Sequence, residues 1–150
     1  MKRISVILFI ALAANARVLM TQQQALASAF PAGVTVTRQT FFLEKQLVIR
    51  YAGSNGSFAY FDTHRVRTEP ETIMVVVNAE GKVERVDILS FDEPTDYFPK
   101  RRWLDQLLGR KLDDNLSLNR AIRPISGASL TGRVIVDATR RIRAIHSAIK

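Results

Sequence analysis

The stretch Thr72–Leu89 does most to limit what this chain can fold into. Thr72-Ile73-Met74-Val75-Val76-Val77 is rich in β-branched residues, which lose side-chain freedom in a helix and fit a pleated surface well. Asn78-Ala79-Glu80-Gly81 follows as a short connection ending in glycine, and Lys82–Leu89 resumes with Val83, Val86 and Ile88 set among charged residues. Two β-prone runs joined in this way read as an antiparallel hairpin. The first run is apolar on both faces, so it is expected in the interior of a sheet with both sides covered. The second is expected to be half exposed. Such a hairpin needs more strands beside it and helices to bury its faces.

The flanking segments supply both. Val34–Phe42 alternates in the manner of a strand, and Ser57–Arg67 does so through Phe58, Tyr60 and Val66. Leu43–Tyr51 fits a helix or a strand. A helix is expected, because Gly53-Ser54-Asn55-Gly56 then provides its stop and a turn. Thr68-Glu69-Pro70-Glu71 reads as a turn. Thr21–Phe30 reads as a short helix capped by Thr21 and ended by Pro31 and Gly33, with Leu26 and Phe30 on its apolar edge. Phe91–Pro99 is an acidic, aromatic loop. Lys100–Leu108 predicts a helix with Trp103, Leu104, Leu107 and Leu108 on one face. Lys111–Asn119 is a polar connection anchored by Leu112, Leu116 and Leu118. The last helix is expected to start at Ser129 or Leu130, with Leu130, Val134, Ala138, Ile142, Ile145 and Ile149 forming its apolar stripe. Arg133, Arg140, Arg141 and Arg143 fall mostly off that stripe and are expected on a solvated face. The fold class that follows is α+β: a single small domain, mainly antiparallel sheet, with flanking helices and a long C-terminal helix.

The N-terminus has the pattern of an export signal. Lys2 and Arg3 precede an apolar run, Ile4–Ala14, and Ala14-Asn15-Ala16 meets the small-x-small cleavage rule. Residues 1–16 are therefore expected to be a signal peptide and 17–150 the domain, with the periplasm as destination. Cleavage after Ala27 or Ala29 also fits the rule but cuts into the segment read as helix. Removing Lys2 and Arg3 takes the formal charge from +8 to +6.

Several function classes fall away. The chain has no cysteine, which removes disulfides, thiolate metal sites, C-x-x-C redox pairs and covalent haem. Its two histidines, His64 and His146, are far apart in sequence, so a transition-metal site is not expected. Electron transfer, if this chain performs it, needs an organic cofactor. The basic balance suits an anionic ligand, a membrane surface or nothing beyond a soluble surface. Export takes the protein away from nucleic acid, so none is expected as a partner.

The stretch best suited to a ligand is Pro124-Ile125-Ser126-Gly127-Ala128-Ser129-Leu130-Thr131-Gly132. Small residues at a helix start let a ligand approach the backbone, whose free N–H groups and dipole favour phosphate. The hydroxyls of Ser126, Ser129 and Thr131 can add to that. The plainer reading is that Ser129 caps the helix. His64, on a strand beside Arg65 and Arg67, reads as a surface or satisfied histidine, and His146 as a helix-end residue offsetting the dipole.

Ser126-Gly127-Ala128-Ser129-Leu130-Thr131 resembles the signature of the FMN-binding domain family. This is the domain found in the C subunit of sodium-translocating NADH:quinone oxidoreductase and in the G subunit of the Rnf complex. The resemblance extends to the order of features in small exported members: Val18–Gln22, the Thr72–Leu89 hairpin, Glu93-Pro94 with Tyr97, and Arg102-Trp103-Leu104. It implies an exported electron-transfer flavoprotein working with membrane electron-transport proteins, not a stand-alone enzyme. Ser126, Gly127, Ala128, Ser129, Leu130 and Thr131 would hold the FMN phosphate, with Glu93 and Tyr97 near the ligand. In the family a flavin transferase often esterifies FMN onto the residue matching Ser129. Here Arg123 stands where that enzyme favours an aspartate, and Pro124 where a glycine is common. An arginine beside the loop favours a non-covalent, ionic hold on FMN over a phosphoester on Ser129. Trp103 is more simply core than a stacking partner. The alternative function is a cofactor-free exported binding module, its basic C-terminal helix engaging an anionic partner or membrane surface.

Overall fold

The apolar run at the centre of the chain lies between two other strands. In the computed structural model, which describes residues 17–113 and 115–149, β4 (Glu69–Val77) pairs with β3 (Phe58–Val66) on one side and β5 (Val83–Phe91) on the other. The signal peptide expected over residues 1–16 lies outside the described residues. With β1 (Val36–Leu43) and β2 (Gln46–Gly53) the sheet runs β1-β2-β3-β4-β5, each neighbour antiparallel. This is the expected α+β domain of antiparallel sheet and flanking helices.

Alternation along β4 explains why it is apolar throughout. Ile73, Val75 and Val77 join a main core, while Met74 and Val76 join a second one on the opposite face. The main core takes Trp103 and Leu104 of α2 (Arg101–Leu104), then Leu107, Leu116 and Ile122, and Ile135, Ala138 and Ile142 of α3 (Ser129–Ala148). The second takes Ala25 of α1 (Gln22–Ala29) and Phe30, against Ala59 and Leu89. α1 starts as expected: Thr21 Oγ1 accepts from Gln24 N–H at 3.1 Å, and Gln24 Oε1 accepts from Thr21 N–H at 2.8 Å. Buried Asp87 ties both helical layers to β5. It binds Arg85, which donates to Ser28 O at 2.8 Å, and accepts from Arg101 at 2.5 Å.

Five sequence expectations are corrected. Leu43–Tyr51 is not a helix: β1 and β2 pair from Val36↔Gly53 to Leu43↔Gln46 around a tight Glu44-Lys45 turn, with φ of 46° and 69°. Thr68–Glu71 is not a turn. The chain reverses at Arg67-Thr68, and Glu69 already belongs to β4. Lys100–Leu108 is not one helix, since α2 tightens into a 3-10 turn over Asp105–Leu107 and leaves Leu108 exposed. β5 is buried along most of its length, because Val83, Val86, Ile88 and Phe91 join the main core and Leu89 the second one, and its outer edge is covered as well. Val18 bridges Ser90, Leu19 N–H donates to Leu89 O at 2.8 Å, and Gly109 N–H donates to Val83 O at 2.7 Å. Finally, α3 starts at Ser129 as expected, and Ala138, Ile142, Ile145 and Ile149 of the expected stripe face the core, but the buried face is displaced toward residues outside that stripe. Thr131, Ile135, Ala138, Thr139, Ile142, Arg143 and His146 are buried, while Leu130 is 39% exposed.

Candidate functional site

The Pro124–Thr131 segment enters α3 through a turn closed by Ala128 N–H to Ile125 O at 3.1 Å. Gly127 holds φ 77° with open space where a side chain would project, so the turn calls for glycine by backbone conformation and not by lack of room. The first internal bond of α3 runs from Gly132 N–H to Ala128 O at 3.2 Å. Ala128 is the residue at the cap position, and no side chain caps there. Ser129 therefore does not cap the helix, contrary to the plainer reading of the sequence. It is the first helical residue, and it is exposed. The N–H groups of Ser129, Leu130 and Thr131 precede the first internal bond and carry the positive end of the helix dipole.

The hydroxyls of the loop divide into two sets. Ser126 and Ser129 are exposed, whereas Thr131 is buried and donates to Glu93 Oε1 at 2.7 Å. That bond brings Glu93, from the segment after β5, to the first turn of α3. Tyr97 lies half-buried in the 3-10 turn Thr95–Tyr97 and packs against the main core. Trp103 is core, as expected. Its ring lies beside Gly132, and its Nε1–H donates to Arg123 O at 2.6 Å. Arg123 N–H in turn donates to Gln106 Oε1 at 2.9 Å, so the backbone of Arg123 is fixed at both polar groups while its side chain stays exposed.

Beside this loop lies an open groove of about 790 Å³. Lys100, Arg102 and Arg123 line it with positive charge against a single acid, Asp96. Phe98 and the edge of Trp103 supply aromatic surface, and Ser126 stands at the loop end. The groove follows the loop as far as Ser126, three residues before the uncapped first residue of α3, Ser129. A cationic, partly aromatic groove of this kind suits a flat anionic ligand.

A second polar cluster bears out the reading of His64 as a partnered histidine on a strand, but its carboxylates have no counterpart in the sequence expectations. His64 Nδ1 is 2.9 Å from Asp62 Oδ1, and Nε2 is 3.6 Å from Glu71 Oε2. Arg141 of α3 donates to Asp62 at 2.8 Å. Burial alone would lower the His64 pKa. The hydrogen bond to Asp62 and the attraction of Glu71 outweigh it and push the value up to about 9. Asp62 is held below the ordinary carboxylate range, because His64 and Arg141 together overcome its burial. Glu71 is raised, by burial first, with a small addition from the charge of Glu93. His146 also departs from expectation, being buried with Nδ1 2.8 Å from the Tyr60 hydroxyl.

The arginines of α3 form a solvated face only in part: Arg133 and Arg141 are exposed, but three of the four have partners or are buried within the fold. Arg140 donates to Leu116 O at 2.9 Å, Arg141 binds Asp62, and Arg143 is only 6% exposed. Among the described residues no cluster of three or more His, Cys, Asp or Glu is placed to hold a metal, and no helix is long and apolar enough to cross a membrane. No family model, curated protein or solved structure matches the chain.

Proposed function

We propose that this chain is an exported FMN carrier of the periplasm that relays electrons to or from membrane electron-transport proteins. The observation that carries the proposal is the groove of Lys100, Arg102, Arg123, Phe98 and Trp103, which runs along the loop to Ser126, in the segment that leads into the uncapped start of α3. Its volume is within the ordinary range for small-molecule sites. The exposed hydroxyls of Ser126 and Ser129, the first-turn N–H groups and Arg123 would take the phosphate, with Gly127, Ala128 and Leu130 contributing backbone. The aromatic side of the groove would take the ring system. Glu93, through Thr131, fixes the loop, and Tyr97 supports the segment that bounds it. When bound, FMN supplies the redox chemistry, and the protein supplies position and access.

A non-covalent hold is the form favoured, because Arg123 places a permanent positive charge beside the phosphate loop. A phosphoester on Ser129, made by a flavin transferase, is the second form. The alternative of a cofactor-free module with a basic helix has less charge to work with, since Arg140 and Arg141 donate within the fold and Arg143 is buried, which leaves Arg133 exposed. The test is the visible spectrum of protein purified from cells with and without a flavin transferase, followed by acid precipitation. A yellow supernatant is expected. A yellow pellet that becomes colourless in Ser129→Ala means the phosphoester. A colourless protein that takes up no added FMN would falsify the proposal.

A further inference from the structure

We infer that hydrolysis of the Ala16–Arg17 bond makes Arg17 the first residue of the mature protein, and that Asp92 binds the α-ammonium group so created. Independent observations meet at this point. The small-x-small pattern Ala14-Asn15-Ala16 puts a cut directly before Arg17. The main-chain nitrogen of Arg17 is already hydrogen-bonded to Asp92 Oδ1. From Arg17 onward the chain lies along β5: Phe91 N–H donates to Arg17 O at 3.2 Å, and Leu19 and Met20 N–H both donate to Leu89 O. Cutting after Ala27 or Ala29 would remove this strap and most of α1, including Ala25 at 0% exposure. The later sites therefore destroy packed structure, whereas the cut before Arg17 preserves all of it.

The cut changes the chemistry of that nitrogen. In the uncut chain it is a neutral amide with one hydrogen. Water adds across the bond, its hydroxyl to the Ala16 carbonyl carbon and its hydrogen to the Arg17 nitrogen. At neutral pH the released acid loses its proton and the released amine takes one up. An amide contact with Asp92 becomes a charge-assisted one, between an ammonium and a carboxylate. An open pocket of about 300 Å³ beside Arg17 is lined otherwise by the uncharged residues Leu19, Phe91, Thr95 and Phe98. Asp92 directly precedes Glu93, the residue that holds Thr131. Processing thus places a new charge against the residue that directly precedes this one.

The inference is independent of the flavin proposal, and a colourless protein leaves it standing. The test expresses the full chain in an exporting bacterium and measures the intact mass, then the α-amino pKa by pH-dependent amine labelling. A start at Arg17 is expected. So is a pKa above that of Asp92→Asn by about half a unit or more, a roughly threefold change in proton affinity. If Asp92→Asn does not fold, a chain retaining Ala16 replaces it. Its Arg17 nitrogen stays an amide, and the Leu19 and Phe91 amides are expected to exchange faster than in the mature protein. A start at any other residue overturns the inference. So does an α-amino pKa equal in the mature protein and Asp92→Asn, or exchange unaffected by the retained Ala16.

Discussion

At His64 two carboxylates act on one imidazole, and the result sets a pH dependence. Asp62, two residues earlier, shares its face of β3, and Glu71 stands directly opposite in the β3–β4 register. Because the folded pKa is about 9 against an ordinary 6.5, folding is favoured by proton binding at this site. That contribution is full below pH 6.5 and is lost as pH rises toward 9. Wild-type protein should lose stability across this window, on the order of 1–3 kcal/mol. His64→Gln should be less stable at pH 6.5 but should fall less between there and pH 9. Urea titrations at several pH values check this; parallel losses in the two proteins would remove His64 as the cause. The cluster is hidden in the sequence by a misplaced turn. A reversal over Thr68–Glu71 takes Glu71 out of the sheet, whereas the observed Arg67-Thr68 turn pairs it with His64. Arg67 makes that turn at φ 56°, a conformation that glycine or asparagine usually advertises.

The elements were legible where apolar periodicity decides them, and obscure where polar partners or strained turns do. α1, β3 and the β4–β5 hairpin follow the sequence pattern. The buried face of α3 does so only in part: Ala138, Ile142, Ile145 and Ile149 face the core as expected, but Thr131 and His146 are also buried, through bonds to Glu93 and Tyr60, which lie far away in sequence. Gly132 is buried there too, under Trp103. A Cβ on it would sit 3.1 Å from Trp103 Cζ2. Helix propensity alone favours Gly132→Ala by about 1 kcal/mol. Overpacking costs about 1–3 kcal/mol, and the ring cannot withdraw while its Nε1–H holds Arg123 O. The variant should therefore be less stable by about 1 kcal/mol in urea denaturation; a gain would mean the indole yields. The β1–β2 turn works in the opposite sense. Glu44 and Lys45 both adopt positive φ, which costs about 1–2 kcal/mol per residue for ordinary side chains. Their chemistry gives no hint of a turn, which is why Leu43–Tyr51 reads as a helix. Replacing them with Asn-Gly should slow amide exchange across β1 and β2. The gain should stay largely local, since β2 and β3 share only the pairs Tyr51↔Ala59 and Ala52↔Phe58. Unchanged exchange would mean that the turn does not limit the hairpin.

For the whole molecule the distribution of charge matters more than its sum. The formal charge of +8 suggests a generally basic surface, but several arginines serve internal bonds. Arg85 and Arg101 hold Asp87, Arg140 and Arg141 anchor α3, and Arg143 is buried. Positive charge that remains free and gathered in one place lies in the groove, at Lys100, Arg102 and Arg123. The loop could be recognised in the sequence, but the groove could not, because it joins the segment around α2 to the entry of α3 across the fold. A flavin phosphate held there stabilises the folded state by mass action. At a hundredfold excess over its dissociation constant FMN should add about 3 kcal/mol, raising the melting temperature by roughly 5–10 °C. Riboflavin has the same ring system without the phosphate, so its shift should be smaller. High salt should shrink the difference between the two ligands by screening the exposed cations. Arg123→Gln should reduce the FMN shift toward that of riboflavin while leaving the riboflavin shift in place. Thermal melts with each ligand at low and high salt read all of these outcomes. Equal shifts for FMN and riboflavin would mean that the ring is bound but that the Ser126–Thr131 loop does not hold the phosphate. No shift with either ligand would mean that neither part of the groove does what its charge and shape suggest.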